Sequence, residues 1–128
     1  MTQLEGRVEK GWGYEFIFAT NELYCGKMMV FEKTGAKFSM HFHHKKDETW
    51  FIQKGKFLLR WIDTKNAKVY EEYLNKNDTR RITPLTPHQL EALEEGSIII
   101  EVSTPDSVED NYRVMPGDSQ TIVWRPPN

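Results

Sequence analysis

The apolar residues of this chain come in short runs that alternate with polar ones, and this period of two is what most constrains its fold. Leu23, Cys25, Met29 and Phe31 fall on one side of an extended segment, and Phe57, Leu59 and Trp61 do the same in a later one. Residues two apart share a face in a strand and not in a helix. Segments 12–20, 23–32, 37–44, 48–54, 57–63, 68–74, 80–83, 89–93 and 97–103 all read as strands. Turn formers separate them, among them Thr34-Gly35, Lys54-Gly55-Lys56, Asp63-Thr64-Lys65-Asn66 and Glu94-Glu95-Gly96. Such spacing predicts an all-β antiparallel sandwich or barrel. Helical turns are expected at most in 90–95, where a strand competes, and in 107–112. The tail Arg125-Pro126-Pro127-Asn128 is expected to be extended, because proline removes ladder donors.

Size and charge narrow the function. A chain of 128 residues closes one core, so residues 1–128 form a single domain with no linker or repeat. Seventeen Lys and Arg nearly balance 19 Asp and Glu, for a net charge of −2, which is not the footprint of a nucleic-acid binder. No apolar run approaches a membrane span, and the start, Met1 to Arg7, lacks the apolar centre of a signal peptide. One cysteine, Cys25, cannot form an internal disulfide. A cytoplasmic protein is expected, one in which the Asn77-Asp78-Thr79 sequon carries no sugar.

Three of the four histidines sit together. His41 and His43 share a strand face, with His44 on the other, and imidazoles at this spacing can converge on one metal at about 2.0–2.1 Å each. Glu48 follows after a Lys45-Lys46-Asp47 turn, and a reversal there carries it back beside the pair. His88 stands apart in Thr83-Pro84-Leu85-Thr86-Pro87-His88, where two prolines fix a tight connection. Each could instead be a hydrogen-bonded surface residue. The bland reading suits His44 best and the other three less well.

The pattern from Gly35 through His41, His43 and Glu48 to Gly55 resembles the first signature of the cupin superfamily. The segment from Asn77-Asp78 through Pro84 to His88 and Ala92 resembles the second, with Asn77 and Thr86 at two of its usual glycines and Ala92 at its closing Asn. The resemblance implies a double-stranded β-helix, a jelly-roll-like barrel, with motifs at 35–55 and 77–92 and a C-terminal extension at 114–128. It also implies His41, His43, Glu48 and His88 as ligands of one divalent ion, whether Zn, Mn, Fe or Ni. A closer likeness is to the C-terminal cupin of type II phosphomannose isomerases. It rests on Gly11-Trp12-Gly13-Tyr14, on residues 40–50, on Ile100-Glu101-Val102 and on Glu109-Asp110-Asn111-Tyr112-Arg113. That family usually has Gln at His41 and an Arg, a candidate phosphate contact, at Gln89.

The likeness implies an aldose–ketose isomerase acting on a sugar or sugar phosphate. The metal would polarise the substrate, and a base would move a proton between adjacent carbons through an enediol. Glu101 is the base candidate, since its strand is otherwise apolar and burial raises a carboxyl pKa; at a sheet edge it would simply be solvated. Lys46 joins it as a catalytic candidate. Tyr14, Trp50, Gln89 and Arg113 are candidate substrate contacts, against a reading in which the aromatics are core and the charges surface. Two other functions fit the same ligands, a non-haem iron(II) dioxygenase and a non-catalytic carbohydrate-binding cupin. Small cupins resemble homodimers, and the apolar-aromatic run 12–18 is a candidate interface strand, or else an internal strand of the same sheet.

Overall fold

Alternation becomes two facing sheets. The computed structural model describes residues 6–107 and 109–119, so the expectation for the tail at 125–128 lies outside the described residues. Among those described there is no helix and there are eleven strands. They are β1 (Arg7–Lys10), β2 (Gly13–Thr20), β3 (Cys25–Phe31), β4 (Met40–Phe42), β5 (Glu48–Lys54), β6 (Lys56–Asp63), β7 (Lys68–Asn75), β8 (Thr79–Ile82), β9 (His88–Ala92), β10 (Ser97–Ser103) and β11 (Tyr112–Met115). One sheet runs β1-β2-β3-β10-β5-β8 and the other β11-β4-β9-β6-β7, every pairing antiparallel.

Two strands, β1 and β11, go beyond the nine expected. Both are exposed along their whole length, so neither carries an apolar alternation to read. The second replaces part of the helical turn expected at 107–112, of which only a turn closed by Asp110 N–H on Ser107 O at 3.1 Å remains. The strand expected over 37–44 shrinks to β4. Lys37 instead exchanges hydrogen bonds with Asp118, its N–H donating to Oδ2 and its C=O accepting from the Asp118 N–H, both at 2.9 Å. Of the segment set apart at 114–128, Val114 and Met115 continue β11, and Ser119 Oγ accepts from Gly11 N–H at 3.0 Å. The run 12–18 yields β2, an internal strand that pairs with β1 over Gly13 to Phe16 and with β3 on its other side.

The core lies between the sheets. Phe31, Ile52, Phe57, Leu59, Leu90 and Ile99 have no exposed surface, and Phe31 packs at 4.5 Å on Trp12 and edge-on at 5.0 Å to Phe57. Each such side chain contributes roughly 1.5–3 kcal/mol by leaving water. Along the same strands the inward positions then change character. Ile52 and Trp50 of β5 give way to Glu48, Ile99 of β10 to Glu101, and Phe31 and Met29 of β3 to Lys27. One end of the interior is apolar and the other is charged.

Candidate metal centre

The register of the five-stranded sheet sets three residues in one lateral row. His41 of β4 pairs with Arg113 of β11 on one side and with His88 of β9 on the other. His43 follows just past the end of β4, and the three imidazoles each place a nitrogen within 4.8 Å of the others. The turn before His88 is fastened to the same place. Leu85 N–H donates to His43 O at 2.7 Å, with Leu85 held at φ 66°. A left-handed leucine costs on the order of 1–3 kcal/mol, a strain kept where it brings two candidate ligands together.

Each ring is oriented from behind. Nδ1 of His41, His43 and His88 lies 2.7, 2.6 and 2.8 Å from the backbone oxygens of Ser39, Asp110 and Thr86. A carbonyl only accepts, so each Nδ1 carries the proton and each Nε2 is left as a lone pair. This is how metal-binding imidazoles are prepared. Burial first of all, with His88 next, pushes the His41 pKa down to about 3, and burial lowers that of His43. Both rings are therefore neutral at pH 7.

Glu48 is the fourth candidate donor, beside the three imidazoles. Its Oε1 lies 2.9 Å from His88 Nε2, yet the two are not aligned as a hydrogen bond and that buried nitrogen has no partner. Two lone pairs this close repel unless a cation or proton sits between them, and the residues present fit a divalent ion. Burial works against the Glu48 charge, but His88, when its Nε2 holds a proton in the ion's place, and Lys46 hold its pKa well below the carboxylate range.

The facing sheet answers with a buried ionic cluster. Lys46 Nζ lies 3.1 Å from Glu48 Oε2, 3.1 Å from Glu101 Oε2 and 3.4 Å from Asp106 Oδ1. Lys27 Nζ lies 3.1 Å from Asp106, 3.6 Å from Glu15 and 3.8 Å from Glu101. Burial opposes both ammonium charges, but the carboxylates, Glu101 foremost, raise both lysine pKa values above normal. Burial, then the Glu48 charge, raises the Glu101 pKa to about 7 against the pull of both lysines. Trp50 Nε1–H donates to Glu101 Oε1 at 3.1 Å and fixes the carboxyl plane.

These walls enclose a cavity of about 260 Å³. Of the sequence candidates, His41, His43, Glu48 and His88 line it together with Lys46, Trp50, Glu101 and Arg113. Tyr14 and Gln89 are not among its lining residues. The Tyr14 ring lies under the Arg7 guanidinium at 3.8 Å, and Gln89 Nε2 donates to Phe38 O at 3.0 Å. Gln89 follows His88 in a strand and so points to the opposite face. In the Tyr14 segment, Gly13 adopts φ 148°, where a Cβ would meet Val30 O at 1.9 Å. That bend shifts the alternation, so Trp12 and Glu15 both line the cavity while Tyr14 does not.

Sequence reasoning missed Glu15, Lys27, Asp106 and Asp110. Lys27 had a signal, a charge in the inward series Cys25-Lys27-Met29-Phe31. Asp110 had none, because it acts through the backbone. Its carbonyl receives His43 Nδ1–H, and its carboxylate accepts from the N–H groups of His44, Lys45 and Lys46 at 2.7, 3.0 and 3.1 Å. One residue thus holds both a candidate ligand and the turn that carries Lys46.

No protein-family model matches the chain, and no curated protein matches it. Solved structures do. The capsular polysaccharide assembling protein CapF from Staphylococcus aureus is similar at 18% identity and a TM-score of 0.73, over 85% of this chain and 32% of that one. Oxalate decarboxylase from Bacillus subtilis is similar at 24% and 0.74, over 88% of this chain and 30% of that one. KdgF from Halomonas sp. is similar at 21% and 0.65, over 75% of this chain and 81% of that one. The chain thus spans about a third of the length of the first two. Likeness at this identity shows architecture alone, and the architecture agrees with the strand pattern and the two-sheet topology: the chain has the cupin jelly-roll fold.

Proposed function

We propose that the chain is a metal-dependent isomerase of small sugars or sugar phosphates, interconverting aldose and ketose like the cupin domain that type II phosphomannose isomerases carry. One observation supports this reading most: across a single cavity, three imidazoles with fixed tautomers face Glu101, a buried carboxyl held between Trp50 and Lys46. His41, His43, His88 and Glu48 would hold a divalent ion, with Zn, Mn, Fe and Ni all suited to the donor set. Bound there, the ion supplies Lewis acidity to a substrate carbonyl or hydroxyl. Glu101 takes and returns the proton, its pKa of about 7 allowing both states at neutral pH. Lys46 stays charged, tying Glu101 to Glu48 and donating toward substrate oxygen.

Arg113, exposed and one strand from His41, offers a cation at the mouth for an anionic substrate. The named roles of similar structures lean the same way, since CapF assembles a capsular polysaccharide and oxalate decarboxylase has Mn(II) centres. The buried free thiol of Cys25 suits the reducing cytoplasm, where we place the protein. Protein loaded with each metal in turn, assayed on free and phosphorylated mannose, fructose, lyxose and xylulose, tests the reading. Interconversion of at least one aldose–ketose pair is expected. Absence of turnover on all of them, or metal-dependent oxygen uptake in its place, would overturn it.

A further inference from the structure

Two acceptors face the cavity without a donor from the protein. Glu15 is the first. The bend at Gly13 turns it inward beside Met29, its partner across the ladder, and it is only 9% exposed. Among the described residues no group donates a hydrogen bond to its carboxylate. Its nearest cations are Lys27 Nζ at 3.6 Å and Lys10 Nζ at 4.0 Å. Asn111 is the second. Its Oδ1 is buried with no partner among the described residues, one position after the Asp110 carbonyl that receives His43. Both residues line the same cavity, Glu15 from β2 of the six-stranded sheet and Asn111 from the chain leading into β11 of the other. Buried polar groups nearly always find a partner, so acceptors left open on two walls of one cavity point to a ligand that brings the donors.

We propose that Glu15 and Asn111 are specificity-determining residues that accept hydrogen bonds from substrate hydroxyls, Glu15 from those beyond the reacting carbons and Asn111 from one nearer the ion. This rests on the proposed sugar reading of the cavity, in which the reacting carbons lie between the ion and Glu101. From Glu48 the charged groups follow one another to Glu15. Lys46 Nζ is 3.1 Å from both Glu48 and Glu101, and Lys27 Nζ is 3.8 Å from Glu101 and 3.6 Å from Glu15. A substrate held at the ion and worked on at Glu101 extends toward Glu15. The surroundings select a hydroxyl there. Among the described residues Lys27 Nζ makes one hydrogen bond, to Asp106 Oδ2 at 3.1 Å, and an ammonium has three to give. A hydroxyl donates to Glu15 and accepts from Lys27 at once. A substrate ammonium would face Lys27 and Lys10, and a phosphate would face Glu15, Glu101 and Asp106. An anionic group, where the substrate has one, is left to Arg113 at the mouth.

Isothermal titration calorimetry of the metal-loaded wild type, Glu15→Gln and Asn111→Leu tests this without needing turnover. The probes are free and phosphorylated mannose, fructose, lyxose and xylulose. Both changes nearly keep side-chain volume, and circular dichroism with metal content checks each fold. The wild type is expected to bind at least one probe, Glu15→Gln about tenfold more weakly or worse, and Asn111→Leu at least about threefold more weakly. Where a bound sugar is turned over, KM rises by the same factor while kcat changes little. Binding that weakens in the variants, with no turnover by any of the proteins, keeps the hydroxyl contacts and removes the isomerase. Turnover with an unchanged KM in Glu15→Gln does the reverse. A wild type that binds none of the probes, or a folded, metal-loaded Glu15→Gln that binds them as tightly as the wild type, would overturn the proposal.

Discussion

The two ends of the interior are built on the same strands and do opposite work. At one end Phe31, Ile52 and Ile99 are sealed from water with no polar partner to satisfy. At the other, the same inward positions carry Lys27, Glu48 and Glu101 at nearly equal burial. The apolar end stabilises the fold simply by leaving water. The charged end gains little, because desolving its ions offsets most of their attraction. A sheet strong enough at one end can hold at the other a cluster that would not assemble alone. The difference separates residues that fold the chain from residues that give it chemistry.

The comparison breaks first at Glu101. Glu101→Gln keeps the shape and the Trp50 contact but removes the proton carrier. Turnover should fall about 10²- to 10⁴-fold with metal content unchanged, and the limb of the pH–rate profile near 7 should vanish. Equal activity in the variant would remove Glu101 from the chemistry. At the apolar end the opposite outcome is expected. Phe57→Ala should lose about 3–5 kcal/mol in urea unfolding while the folded fraction still binds metal.

Asp110 sharpens the contrast, since it serves the charged end from outside the cavity. Asp110→Asn weakens the acceptor for three N–H groups and leaves its carbonyl in place. Metal affinity measured by chelator competition should drop about 10- to 100-fold with little loss of stability. Loss of stability without loss of affinity would make its role structural only.

The smallest effect is in pH. His41 is neutral in the fold, with a pKa of about 3, but takes a proton near 6.5 when unfolded. The unfolded state therefore binds more protons between those values. The His41 contribution to the stability of the metal-free protein is full above pH 6.5 and falls as pH drops toward 3, while Glu101, its pKa raised from 4.5 to about 7, works the other way between those two values. His41→Gln should flatten that slope in thermal melts across the window, and an unchanged slope would assign it to other groups.

Much of this was legible in the residues. Eight of the nine strands read from the alternation match to within a few residues; over 37–44 only β4 forms, and Lys37 keeps an isolated bridge to Glu91 while hydrogen-bonding to Asp118. The four candidate ligands stood out because a strand spacing, a turn and a proline-fixed approach are all local. What could not be read was non-local or backbone-borne. The exposed strands β1 and β11 have no apolar face, and the bend at Gly13 changes which side Glu15 and Tyr14 take. The carbonyls that fix three tautomers leave no mark in side-chain chemistry.

The charged end has the donor set for one divalent ion. Its most direct test is the metal content, by inductively coupled plasma mass spectrometry, of protein purified without chelator or affinity histidines, beside folded His88→Ala. About one equivalent in the wild type and none in the variant is the predicted result. A wild type that stays empty after incubation with Mn, Fe, Ni and Zn in turn would contradict the account.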